Sequence, residues 1–83
     1  MNTDNPHLQA AIEALKHHDM ITASVEVTKA IEADPSCYEA YILRGQISMA
    51  FGDTKGASDD MRRALELNPD LQSQLTGEYK NGQ

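Results

Sequence analysis

Apolar residues recur at three- and four-residue intervals along most of the chain, and short polar turns interrupt them at regular distances. From His7 to about His18, Leu8, Ala11, Ile12 and Leu15 line one side, with Ala10 and Ala14 beside them, which predicts an amphipathic helix with one wide apolar face. Asp4 or Asn5 stands where its cap belongs, and Pro6 falls in the first turn, where a missing N–H costs nothing. His17-His18-Asp19 breaks the pattern. A second helix is expected from Met20 or Ile21 to Ala33, with Ile21, Ala23, Val25, Val27, Ala30 and Ile31 as its apolar contacts. Val25, Val27 and Thr28 are β-branched and lower its intrinsic helicity, so packing must hold it. Asp34-Pro35 ends it, because the residue before proline is driven out of the helical region.

Ser36 and Glu39 have the spacing of a capping box at the start of a third helix, which continues through Tyr41, Ile42, Leu43, Ile47 and Met49 to Phe51. Its apolar residues cover more than one face, so it should be the most buried element. Gly45 in its middle costs about 1 kcal/mol relative to alanine and is expected where a neighbouring helix crosses too closely for a Cβ. Gly52-Asp53 closes this helix. A fourth spans Thr54 to Leu67, with Ala57, Met61, Ala64 and Leu65 inside. Asp59, Asp60, Arg62, Arg63 and Glu66 are placed mostly outside, paired as Asp59–Arg63 and Arg62–Glu66. Asn68-Pro69 stops it, and a short helix from Asp70 to Tyr79, carrying Leu71, Leu75 and Tyr79 on one stripe, would close the open end.

The landmarks of the second half repeat those of the first at a distance of 34 residues: Asp53 over Asp19, Ala57 over Ala23, Ser58 over Ser24, Ala64 over Ala30, Glu66 over Glu32 and Pro69 over Pro35. Two helical hairpins at a fixed period form a solenoid fragment, an architecture that presents surface rather than a reaction chamber. The expected fold is all-α and occupies one domain over residues 4–79, divided into units at 4–37 and 38–71 and a capping helix at 72–79, with residues 1–3 and 80–83 frayed.

Charge narrows the choice of partner. Seven basic residues against thirteen acidic ones give a net charge of −6, and Arg62-Arg63 is the only basic pair, so neither a nucleic acid nor an anionic membrane is expected as a partner. The sequence has no apolar run of membrane-spanning length and no charged-then-apolar leader, and its single cysteine, Cys37, has no intrachain partner. A cytoplasmic location follows as the expectation. Cys37 is read as a small residue in the turn between the hairpins.

Catalytic chemistry finds no support. The side chains of His17 and His18 diverge, no histidine pair has the helical i,i+4 spacing of a zinc site, and one thiol cannot build a cysteine–histidine site. Glu32, Asp34, Asp59 and Asp60 are expected on solvated faces with nothing to raise their pKa, and Gly45, Gly52 and Gly56 are isolated, with no strand before them. No enzyme activity, metal or cofactor is expected.

The residues of this period resemble the tetratricopeptide repeat family. In the second unit Tyr41 holds the opening aromatic position, Gly45 the glycine, Gly52-Asp53 the inter-helix turn, Ala57 and Ala64 the paired alanines and Pro69 the closing proline. Arg44, Ser48 and Met61 replace the pattern's leucine and its two later aromatics. The first unit matches through Ala23, Ala30 and Pro35, with His7, Ala10, Ala11 and Val27 as departures. The resemblance implies a right-handed array of antiparallel helix pairs whose first helices line a concave groove that holds peptides or helices of partner proteins. The family's geometry then implies groove positions at Asn5, Leu8, Ile12, Leu15 and Lys16 in the first unit, and at Glu39, Ile42, Gln46, Met49 and Ala50 in the second. That wall is mostly apolar, which suits a hydrophobic peptide or amphipathic helix. Leu8 and Ile12 stand where chaperone-binding members carry carboxylate-gripping residues, so acidic chaperone tails are not expected. Such a wall could equally bury against a second copy, so a homodimer or larger assembly stays open beside a protein or peptide partner.

Overall fold

Four helices of eleven to fourteen residues and one short one build the chain in a computed structural model that describes residues 5–76. They are α1 (Pro6–Lys16), α2 (Met20–Ala33), α3 (Tyr38–Ala50), α4 (Thr54–Leu67) and α5 (Leu71–Thr76), with no strand among the described residues. The rest of the expected capping helix and both expected frayed ends lie outside the described residues. Three-residue turns fold α1 onto α2 and α3 onto α4, and α2 packs against α3 to join the two hairpins.

The period fixes the turns. Asp19 Oδ1 accepts the Thr22 amide at 3.1 Å, and Asp53 Oδ1 accepts the Gly56 amide at 2.9 Å, so the same acid starts the second helix of each hairpin. Before each acid the chain enters the left-handed region, at His18 (φ 60°) and Gly52 (φ 83°). The following amides then reach back to Ala14 O (2.9 Å) and Ser48 O (2.8 Å), which satisfies carbonyls left over at the ends of α1 and α3.

Asn5 caps α1 by accepting the His7 and Leu8 amides at 3.1 and 3.2 Å. The capping box expected of Ser36 and Glu39 does not form. The Ser36 hydroxyl donates to Asp34 Oδ1 at 2.7 Å, α3 starts one residue later than that box requires, and Cys37 occupies the cap position with no side-chain cap bond. Cys37 is fully buried, a core residue rather than a spare one in a turn.

Alanines make the first core. Leu8, Ala11 and Ala14 of α1 meet Ala23, Val27 and Ala30 of α2 and Cys37, Ala40 and Ile47 of the next hairpin, edged by Ile12, Leu15, Met20, Ile31 and Leu43. A second cluster joins Tyr41, Ala64 and Leu71, flanked by Tyr38, Ile42, Leu65 and Leu67. α3 is gripped from both sides as expected, yet its C-terminal end is open: Met49 is 58% and Phe51 61% exposed. Ile21 and Val25, expected as contacts of α2, point outward at 75% and 48% exposure. At 100° per residue they lie opposite the Ala23–Val27–Ala30 stripe, which already fills the interface.

Two further expectations change. The crossing at Gly45 is close but would admit one methyl group: a Cβ there would lie 3.4 Å from Ala57 O and 3.6 Å from Asp60 Cβ. Asp60, placed on the solvated face by its charge, is buried and accepts Arg44 Nε at 2.9 Å and Arg44 Nη2 at 2.8 Å. The exposed pairs of α4 also differ from those expected: Asp59 accepts Lys55 and Arg62, and Glu66 accepts Arg63.

Candidate functional site

The wall formed by the first helix of each hairpin is the candidate site. α1 and α3 each begin a hairpin, and α2 packs against both. Of the ten positions expected to line the wall, the structure removes two. Asn5 is buried, and beyond its capping role its Nδ2 donates to Ala30 O at 3.1 Å across the hairpin. Leu8 lies in the first core. Both side chains hold α1 on α2 and are withdrawn from solvent.

The other eight divide by exposure. Lys16, Gln46, Met49 and Ala50 are exposed, while Ile12, Leu15, Glu39 and Ile42 are half-buried, with the three aliphatics packed at the margins of the two cores. Lys16 Nζ lies 4.0 Å from Glu13 Oε1 between two well-exposed side chains, an arrangement that leaves the ammonium hydrated and available.

Polar contacts behind this wall fix its shape. In the second hairpin the forked Arg44–Asp60 pair ties α3 to α4, Arg44 Cζ lies 5.7 Å from the Tyr41 ring centroid, and Tyr41 donates its hydroxyl proton to Pro35 O at 3.0 Å. The guanidinium's pKa is raised, chiefly by its hydrogen bonds to Asp60. In the first hairpin the acid one period before Asp60 is Glu26, and His7 Nδ1 meets it at 2.8 Å from α1. Each hairpin is therefore stitched at the same acid, but from different positions of its first helix. Sequence reasoning missed both stitches, although Asp60 carries a legible signal: it falls on the inner Ala57–Ala64 stripe.

The acids whose pKa is shifted among the described residues are all shifted downward. Asp19 is held below its ordinary pKa by its hydrogen bonds from Thr22, Glu26 by that from His7, Asp34 by those from Ser36 and Asp59 chiefly by that from Lys55. These are firm anions at neutral pH, whereas a general acid needs a raised value. Burial pushes the Cys37 thiol up, away from the thiolate a nucleophile requires. Among the described residues no three histidine, cysteine or acidic side chains converge to hold a metal ion. No described helix is long and apolar enough to cross a membrane.

Residues 38–71 match the family model of the tetratricopeptide repeat. The chain belongs to the tetratricopeptide repeat family. It is 37% identical over 57 residues to Tetratricopeptide repeat protein 36 of Xenopus tropicalis, a match covering 69% of this chain and 28% of that protein. It is also 31% identical over 65 residues to DnaJ homolog subfamily C member 3 of Rattus norvegicus, covering 78% of this chain and 13% of that protein. The matched region is thus a small part of either relative. No solved structure matches the chain. Tetratricopeptide repeats generally mediate protein–protein interaction and are typically not enzymes.

Proposed function

We propose that this tetratricopeptide repeat chain is a non-enzymatic interaction module that holds a hydrophobic peptide or amphipathic helix of a partner protein against the wall of α1 and α3. The supporting observation is the contrast between the faces of α3: its other sides are packed against α2 and α4, while Gln46, Met49 and Ala50 meet solvent together. Ile12 and Leu15 continue the aliphatic surface on α1, with Lys16, Glu39 and Ile42 at its margins. Such a mixture of exposed methyl groups and a few polar ends suits an apolar helix stripe better than a charged tail.

A pull-down with the intact chain and with a Gln46→Arg, Ala50→Asp double variant tests this reading, each captured protein being purified and titrated back. Both substituted residues are exposed, so the variant keeps its helical spectrum and loses the partner. A partner held equally well by the variant would end the reading. Self-association is the second reading, and Ile21 and Val25 on the outer face of α2 favour it. Sedimentation equilibrium that returns a monomer across the accessible concentrations would retire it.

A further inference from the structure

Both hairpins are stitched at the same repeat position, but the two donors differ in kind. Asp60 is held by Arg44, whose guanidinium keeps its charge at any pH the folded chain meets. Glu26, one period earlier, is held from α1 by the His7 imidazole, with 2.8 Å between Nδ1 and Oε1. Histidine gains and loses its charge between about pH 5 and 8. The bond spans two helices, from the second residue of α1 to the middle of α2, and the Glu26 side chain is 21% exposed, so water screens the contact only in part.

Glu26 also has a partner on its own helix. Lys29 Nζ stands 4.0 Å from its other oxygen, Oε2, and His7 and Lys29 are the charged groups that act on this carboxylate. On α1 the described neighbours of His7, Pro6 and Leu8 to Ala11, carry no charge. Facing an imidazolium, the carboxylate accepts a hydrogen bond from a charged donor. Facing a neutral ring, it keeps that bond only in the tautomer with the proton on Nδ1, and without the charge. Glu26 then still has Lys29, so slackening the contact leaves no buried charge alone. We propose that His7 and Glu26 form a pH-sensitive latch between α1 and α2, tight when the imidazole is protonated and slack when it is neutral, while the Arg44–Asp60 clasp of the second hairpin holds throughout. Folding places a carboxylate on the imidazole that the unfolded chain does not, so the folded state holds the proton more firmly. The added stability is present at the acidic end of histidine's range and is lost as pH rises through it. α1 also carries Ile12, Leu15 and Lys16 of the wall, so under the function proposed above a partner is held more loosely as the latch slackens; the latch itself does not rest on that function.

The test uses the full chain with His17→Gln and His18→Gln, both at exposed positions, which leaves His7 as its only histidine. Urea denaturation should give an unfolding constant about fivefold larger at about pH 7.5 than at about pH 5.5. Adding Glu26→Gln, which keeps the size of the side chain and removes its charge, should bring the two values within about twofold. Adding Asp4→Asn instead, at a position three residues before His7 and outside the described residues, should leave the difference intact. Amide hydrogen exchange, corrected for the intrinsic effect of pH, should place the loss in α1 and α2, with α4 unchanged within about twofold. An unfolding constant indifferent to pH overturns the latch. So does a difference that survives Glu26→Gln or vanishes with Asp4→Asn, and so does an equal loss of protection in both hairpins.

Discussion

Asp60 shows how a residue's neighbours override its type. A carboxylate in mid-helix ordinarily faces water, but Asp60 lies three residues after Ala57 and four before Ala64, on the stripe that α4 presents to α3. Arg44 makes that position tenable by meeting it with two hydrogen bonds. Removing one partner of such a pair costs more than removing both, because the survivor stays buried and unpaired. Arg44→Leu, which restores the residue usual at this repeat position, should therefore lower stability by about 2 kcal/mol, the guanidinium being a third exposed. Asp60→Ala should cost about 1–2 kcal/mol, and the double variant less than the sum by about 1 kcal/mol. Urea denaturation of the four proteins measures this; strict additivity would mean that the pair contributes nothing as a pair.

The hydrogen-bonded acids carry a prediction of the opposite kind, in which the proton is the perturbant. Glu26 and the aspartates at 19, 34 and 59 are all held below their ordinary values of 4.5 and 3.8. A carboxyl group whose pKa is depressed by folding contributes stability that is fully present above its ordinary value and is lost as pH falls through the depressed one. The melting temperature should therefore decline on acidification below about pH 4.5, as the Asp19 cap, the Asp34–Ser36 turn and the Glu26 bridge are protonated. Asp19→Asn should flatten part of that decline. A melting temperature that stays constant down to about pH 2.5 would contradict the assignment.

At the scale of the element, period and turn chemistry made most of the fold legible. The extent of α4 and the role of Gly52 follow from spacing and punctuation alone, because capping and glycine's positive φ are local effects. What stayed hidden was which of two interleaved apolar stripes α2 turns inward. Its inner face is largely alanine, a weak hydrophobic signal, while the larger Ile21 and Val25 lie outside, where α4 carries the Lys55–Asp59 ion pair. The wall was legible only in part for a related reason: spacing shows that Asn5 caps α1 and that Leu8 lies on it, but not that packing on α2 buries both. The paired turns allow a direct test. His18 and Gly52 occupy the same repeat position at positive φ, where a Cβ is strained. His18→Gly should stabilise the chain by about 0.5–1 kcal/mol and Gly52→Ala should destabilise it by about 1 kcal/mol, both read from denaturant midpoints. Changes of the same sign would show that the two turns are not equivalent.

For the whole molecule the decisive feature is that it is a short stack rather than a ball. Each hairpin touches only its neighbour, so the first core and the Tyr41–Ala64–Leu71 cluster are joined through α3 and the half-buried Ile31, which borders both. Stability in such arrays is a sum of unit and interface contributions, and a defect at one end is felt most by the unit that holds it. Leu71 supplies the buried side chain by which α5 closes the second cluster. Leu71→Ala should lower stability by about 2–3 kcal/mol, a large share of what a domain of this size possesses. The loss should also be uneven. Amide hydrogen exchange should accelerate most in α3, α4 and α5, while the α1–α2 hairpin, with its alanine core and Asn5 clasp intact, keeps more of its protection. Uniform acceleration across all helices would instead mean that the two hairpins open only together, and a defect under α5 could then not arise without loosening the wall of α1 and α3.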